Sequence, residues 1–318
     1  MALAAAAVGM SGLAPVGVPS AAAAEAEAEP EFFGIRLLEV PVARRTDPRA
    51  RTYIVDHLNP GVTIQRRIEI SNKSSVPRRI ELYAAAASIA NNGFTFAPKR
   101  TANELTQWTR AKPGMVNLRP HSVAEAEITI NVPRTAQAGE RYAVVWAENS
   151  AAADATHNVA SIHRVGVRIY LDVGPGGEPV SDFKIEKMKG ARDKKGRPSV
   201  TAAVRNLGRR AVDLSGTLDL RDGPGGISAG PFRVPTGTTL PPHGTGTVTV
   251  PLQTRLPDGP WQAKMRLRSG TVERNATATV TLSKKVKSRT LLYIGIGAAA
   301  LAVTGIVLVG LRRRRRTR

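Results

Sequence analysis

The residues of this 318-residue chain that could do covalent chemistry are few and badly spaced for it. His157 and His163 stand six apart with Asp154 nearby, but no third ligand motif completes a metal site. Glu125 and Glu127 are two apart in an alternating segment, so both carboxylates fall on one strand face, whereas a glycosidase needs its pair across a cleft. Gly223-Pro224-Gly225-Gly226 is a turn, with no cation or helix after it to hold phosphate. The absence of cysteine excludes thiol nucleophiles, disulfides and cysteine-ligated metals. No H-E-x-x-H or P-loop occurs, nor a G-x-S-x-G or G-x-G-x-x-G between a strand and a helix. The chain reads as no enzyme, with no cofactor and no metal.

What remains is binding chemistry. Aromatic residues number 14, and carbohydrate sites use their faces. Tyr83, Phe94, Phe96 and Trp108 gather in sequence around Asn92-Gly93, which makes Tyr83, Asn92, Phe94 and Trp108 the candidate contacts for a wall polymer. Core packing is the alternative for each ring taken singly. Seven cations crowd Lys184 to Arg197; of these Lys187, Lys189, Arg192, Lys194, Lys195 and Arg197 are the candidate contacts for an anionic surface, against the plainer alternative of a solvated hairpin tipped at Lys195-Gly196.

These residues need strands to position them, and strands dominate. Residues 124–132 read AEAEITINV, placing Ala126, Ile128, Ile130 and Val132 on one face with the period of two that a half-buried sheet requires. Asn92-Gly93 lies between two β-rich runs and predicts a hairpin, because both residues tolerate positive φ. Other strands are predicted at 34–42, 52–57, 63–71, 78–86, 95–96, 141–147 and 165–173. After the Gly-Pro linker the pattern restarts at 182–187, 199–206, 212–220, 245–251, 261–269 and 276–282. The halves echo each other in order. The Ile70-Ser71-Asn72 run parallels Val204-Arg205-Asn206, Leu118-Arg119-Pro120-His121 parallels Leu240-Pro241-Pro242-His243, and Gly139 parallels Gly259, at spacings of 134, 122 and 120 residues. His121 and His243 thus occupy one recurring turn, which assigns them a structural role. The fold class expected is all-β, two tandem immunoglobulin-like sandwiches.

The first half is similar to the peptidoglycan-binding domain of the WxL-interacting proteins. The residues that carry the resemblance are Asn59-Pro60-Gly61 before a long strand ending in Asn72, then Asn92-Gly93, Trp108, Leu118-Arg119-Pro120-His121-Ser122, Val132-Pro133 and Ala138-Gly139. It covers residues 33–172, and it implies a surface protein with two immunoglobulin-like domains, a C-terminal helix and a basic tail. The second half departs from that family in being shorter and more basic.

The termini set the expected compartment. Residues 1–24 are small and apolar and end in an A-x-A pattern, reading as a signal peptide, with a solvated leader at 25–31. Residues 291–311 are 21 uncharged residues, long enough at the helical rise to span a bilayer. Arg312, Arg313, Arg314, Arg315 and Arg316 follow at once as a stop-transfer, in a cytoplasmic tail 312–318. The organisation expected is a first domain at 32–173, a linker at 174–179, a second domain at 180–283, a basic juxtamembrane segment at 284–290, and the span. Of the formal net charge of +21, the second domain and its flanks (173–290) carry 21 basic against 9 acidic residues. Outside a bacterium the matching polyanions are lipid headgroups and wall polymers; nucleic acid is excluded by location. The function expected is a bacterial single-pass surface protein binding peptidoglycan or an associated anionic wall polymer. The alternative is an assembly factor that takes a partner protein at a sheet edge.

Overall fold

The computed structural model describes residues 33–151, 161–252 and 255–283. The expected signal peptide, leader, juxtamembrane segment, membrane span and arginine tail lie outside the described residues, as do Asp154 and His157. Among the described residues no helix is long and apolar enough to cross a membrane.

The first domain is a sandwich of two sheets. One runs in the order β1 (Phe33–Leu37), β3 (Thr63–Asn72), β8 (Val123–Asn131), β6 (Thr109–Lys112). The other runs β2 (Ile54–Leu58), β10 (Ser161–Val173), β9 (Gly139–Ala151), β4 (Arg78–Ala90), with β5 (Gly93–Phe96) and β7 (Met115–Leu118) both pairing with β4. Alternation decides what lies between the sheets: Ile68, Ile70, Ile128, Ile130, Val145, Ile169 and Leu171 are buried in one core. The opposite face of the first sheet is polar, held by cross-strand pairs such as Arg36 with Glu69 at 2.7 Å and Gln65 with Glu127 at 3.1 Å. Helix α1 (Glu104–Trp108) is a single turn that the strand pattern does not foresee; Asn103 and Thr106 cap it reciprocally.

The second domain pairs β11 (Phe183–Arg192), β12 (Pro198–Asn206) and β16 (Thr245–Pro251) against a sheet ordered β14 (Ala229–Arg233), β13 (Val212–Arg221), β17 (Gly259–Ser269), β18 (Val272–Leu282), with β15 (Thr238–Leu240) on β13. Its separate core centres on Trp261, Phe183, Leu218 and Met265.

The sequence echoes have a shared physical cause. Asn72 Nδ2 donates to the carbonyls of Val76 and Arg119 at 2.8 and 3.0 Å, and Asn206 Nδ2 donates to those of Arg210 and Pro241 at 2.7 and 2.8 Å. In each domain a buried Asn at a strand end clamps the proline turn before a later strand. His121 and His243 take positive φ in those turns, as the repeat implied.

Candidate functional site

The site begins with an incomplete strand pairing. β10 pairs antiparallel with β9 along its whole length, but on its other side β2 pairs with it only at Ile169–Val173. β2 starts no earlier because Asp47 caps a 3-10 turn at Pro48–Arg51, accepting the Arg49 N–H at 2.9 Å, and Thr52 and Tyr53 turn the chain in from there. β1, which approaches β10 from the facing sheet, bonds β3 instead. Among the described residues, 161–168 therefore have β9 as their strand partner and no strand on the other side, which leaves an open sheet edge.

Side chains along this edge taper from core to solvent. On the core face Val167, Ile169 and Leu171 are buried and Val165 is half-buried, while Ile162, on the outer face, is 63% exposed. On the outer face the cations lie back across rings: Arg164 is 5.0 Å from the Trp146 centroid and Arg168 is 4.9 Å from that of Phe94. Trp146 itself lies over Gly166, where a Cβ would come within 2.6 Å of the indole. Glycine is required here by close approach. The usual edge protection, a charged side chain standing out beside the backbone, is thereby folded away from residues 164–168.

The closed end of the edge meets the domain junction. Phe94, Tyr142 and Tyr170 pack there with ring centroids 5.0–6.1 Å apart, and Ala211 of the second domain joins them. The Tyr170 hydroxyl donates to Asp213 at 2.8 Å, Arg49 donates to the Ala211 carbonyl at 2.9 Å, and the Ala211 N–H donates to Glu140 at 2.6 Å. Arg210 is buried facing Glu140 at 3.9 Å and also pairs with Glu178 of the linker. Burial pushes the Glu140 carboxyl above the usual carboxylate range and the Arg210 guanidinium below its own. Burial likewise raises Tyr142 and Tyr170, so both hydroxyls stay protonated and donate. This network ties the edge-bearing sheet to the second domain.

The sequence-predicted contacts are dispersed over this framework. Trp108 is in the core of the first domain, with Arg141 over its ring at 5.0 Å, and Phe94 is in the junction; each is 8% exposed. The Asn92 carbonyl accepts the Thr239 N–H of the second domain at 2.9 Å, so the hairpin tip is a domain contact. Tyr83 is half-buried on the outer face beneath Arg100, and its hydroxyl donates to Glu148. The four do not form one surface. In the basic run, Lys187, Lys189, Lys194 and Lys195 are exposed, with no ion pair among the described residues. Arg192 instead turns inward to Asp258 and the Leu256 carbonyl, and Arg197 pairs with Asp193. No group of three metal-capable side chains occurs among the described residues. The open edge itself went unread in the sequence. The only trace of it is that the β10 alternation runs on well past the last residue paired with β2.

No family model matches the chain, and no curated protein matches it. Among solved structures it is similar to the Escherichia coli chaperone DraB, with 12% identity over 77% of this chain and 98% of that one, and a TM-score of 0.40. It is similar to the SafB chaperone solved in complex with the SafA pilin from Salmonella enterica, with 11% identity over 78% and 98% of the chains and a TM-score of 0.39. It is also similar to the Pseudomonas aeruginosa CupB2 chaperone, with 10% identity over 73% and 98% and a TM-score of 0.36. The expected binding of peptidoglycan or a wall polymer is corrected here. Phe94 and Trp108, which were to stack on sugar rings, are taken up by the junction and the core.

Proposed function

We propose that this chain is a non-catalytic envelope protein whose first sandwich binds a partner protein by accepting a strand of it along residues 161–168 of β10. The observation that supports this is the edge: among the described residues the strand pairing of 161–168 is to β9 alone, beside a half-buried Val165 on the core face and an exposed Ile162 on the outer face. Each backbone hydrogen bond added there is worth about 1 kcal/mol net, and apolar side chains of the incoming strand would complete the taper of the core. The partner class is a protein subunit handled outside the cell. The apolar run 291–311 and its arginine stop support a single-pass anchor with both sandwiches exported.

A photo-reactive residue at Ile162, introduced in the full chain in its native cells, tests the reading. Cross-linking to one protein is expected, and hydrogen exchange on the isolated complex should show alternate amides of 161–168 newly protected. A complex that forms while those amides exchange as before refutes strand addition.

A further inference from the structure

The end of the second sandwich from which the chain departs differs from the end that meets the first. Strand register fixes which loops share it. Gly259 pairs with Leu282, Ser199 with Pro251, and Arg192 with Pro198. Gly190 lies directly on Thr281, where a Cβ would come within 2.6 Å of the carbonyl oxygen. The β11–β12 turn, the β16–β17 loop and the end of β13 at Arg221, paired with Gln262, therefore surround the exit at Leu282. The β17–β18 turn at Gly270 is at the opposite end, against Asp47 of the first domain.

Charge at the exit end is sorted. Two of its carboxylates are engaged: Asp193 accepts the N–H groups of Arg197 and Lys195, both at 2.9 Å, and Asp258 accepts from Arg192, while Asp222 beside Arg221 is exposed. The Arg197 donors hold the Asp193 carboxyl below the usual range. Lys194, Lys195, Arg221 and Arg255 are exposed, and no carboxylate pairs with them among the described residues. Beside them Ile227, in the loop after β13, is 42% exposed. Only residues 283–290 separate this end from the apolar run, and they add Lys284, Lys285, Lys287 and Arg289. Eight residues reach at most about 28 Å when fully extended, so an anchored chain holds this end close to the lipid surface.

We infer that the exit end of the second sandwich docks on anionic lipid headgroups, through Lys194, Lys195, Arg221 and Arg255, with Ile227 entering the interface. The inference rests on residues 291–311 spanning the membrane. Each cation beside an anionic leaflet strengthens contact about fivefold. The docked domain stands upright, since β17 has 11 residues and spans roughly 36 Å, which carries the open edge of β10 clear of the bilayer.

The chain has no cysteine, so Lys195→Cys gives a single labelling site. The full chain carrying a fluorophore there is reconstituted into nanodiscs containing headgroup-quencher lipids, made of phosphatidylcholine alone or with phosphatidylglycerol. Quenching is expected in the anionic discs, with loss at high salt and about a fivefold weakening of contact for each of Lys194→Gln and Arg255→Gln. A label at Val76→Cys, in the first domain, should stay unquenched. A chain that fails to enter discs overturns the anchor and the inference with it. A chain that enters, yet leaves the Lys195→Cys label equally bright in both lipids, overturns the docking surface alone.

Discussion

Asn206→Ala removes a side chain whose whole environment is hydrogen bonding. Asn206 is buried, its amide donates to the carbonyls of Arg210, Pro241 and Leu240 at 2.7, 2.8 and 3.3 Å, and its Oδ1 accepts the Gly208 N–H at 2.9 Å. Three of these bonds have good geometry. The Gly208 N–H also donates to the Asp182 carbonyl at 3.1 Å and the Pro241 carbonyl also accepts the Gly244 N–H at 3.0 Å, so each keeps one partner in the variant. Truncation removes three hydrogen bonds worth about 1 kcal/mol each, so the second domain loses about 3 kcal/mol, or about a hundredfold in its folding equilibrium. Asn206→Asp is worse at neutral pH, since a carboxylate would face three carbonyl oxygens. It recovers in acid, where a protonated carboxyl donates again. Urea unfolding followed by Trp261 fluorescence, in a background with Trp108 and Trp146 replaced by Phe, isolates the second domain because Trp261 lies in its core. A loss below about 0.5 kcal/mol, within the range of ordinary surface changes, would refute the idea that this Asn and its first-domain counterpart Asn72 clamp the proline turns.

Glu140 is raised by burial, so its contribution is present below the unfolded carboxylate pKa and is lost as pH rises through the higher folded value. The domain junction should therefore tighten in mild acid. Glu140→Gln should flatten that dependence, read as the pH profile of amide exchange at Ala211. Gly166→Ala places a methyl where Trp146 lies, at a cost of about 1–3 kcal/mol and with a red shift of Trp146 emission; unchanged emission would mean that the ring is not held there. Ile162→Asp should leave folding stability within about 0.5 kcal/mol. It should weaken partner capture about tenfold, from the loss of roughly 1–2 kcal/mol of apolar burial, as measured by complex yield against concentration.

Much of the fold was legible because strand alternation is a local property. Ala126, Ile128, Ile130 and Val132 are all buried as their spacing predicts, and Asn92-Gly93 turns a hairpin with positive φ at Asn92. Short edge strands such as β14 and β15 were not legible, since three to five residues carry too little pattern. The functional reading failed at the rings. An aromatic residue near a loop looks the same in sequence whether it meets solvent, as Phe96 partly does, or a neighbouring domain, as Phe94 does.

The all-β class, the repeated proline turns and the excess of cations in the second half each follow from residue types at short range. Where a strand lacks a neighbour, and which charges are already answered, depends on long-range packing. Val167 and Ile169 alternate identically although only Ile169 has a partner in β2, so the open edge of β10 depends on β2 beginning no earlier than Ile54. Arg192 reads as a surface cation until β11 folds it onto Asp258, 66 residues away. Pairing and compensation are contacts between distant segments, and no local pattern encodes them.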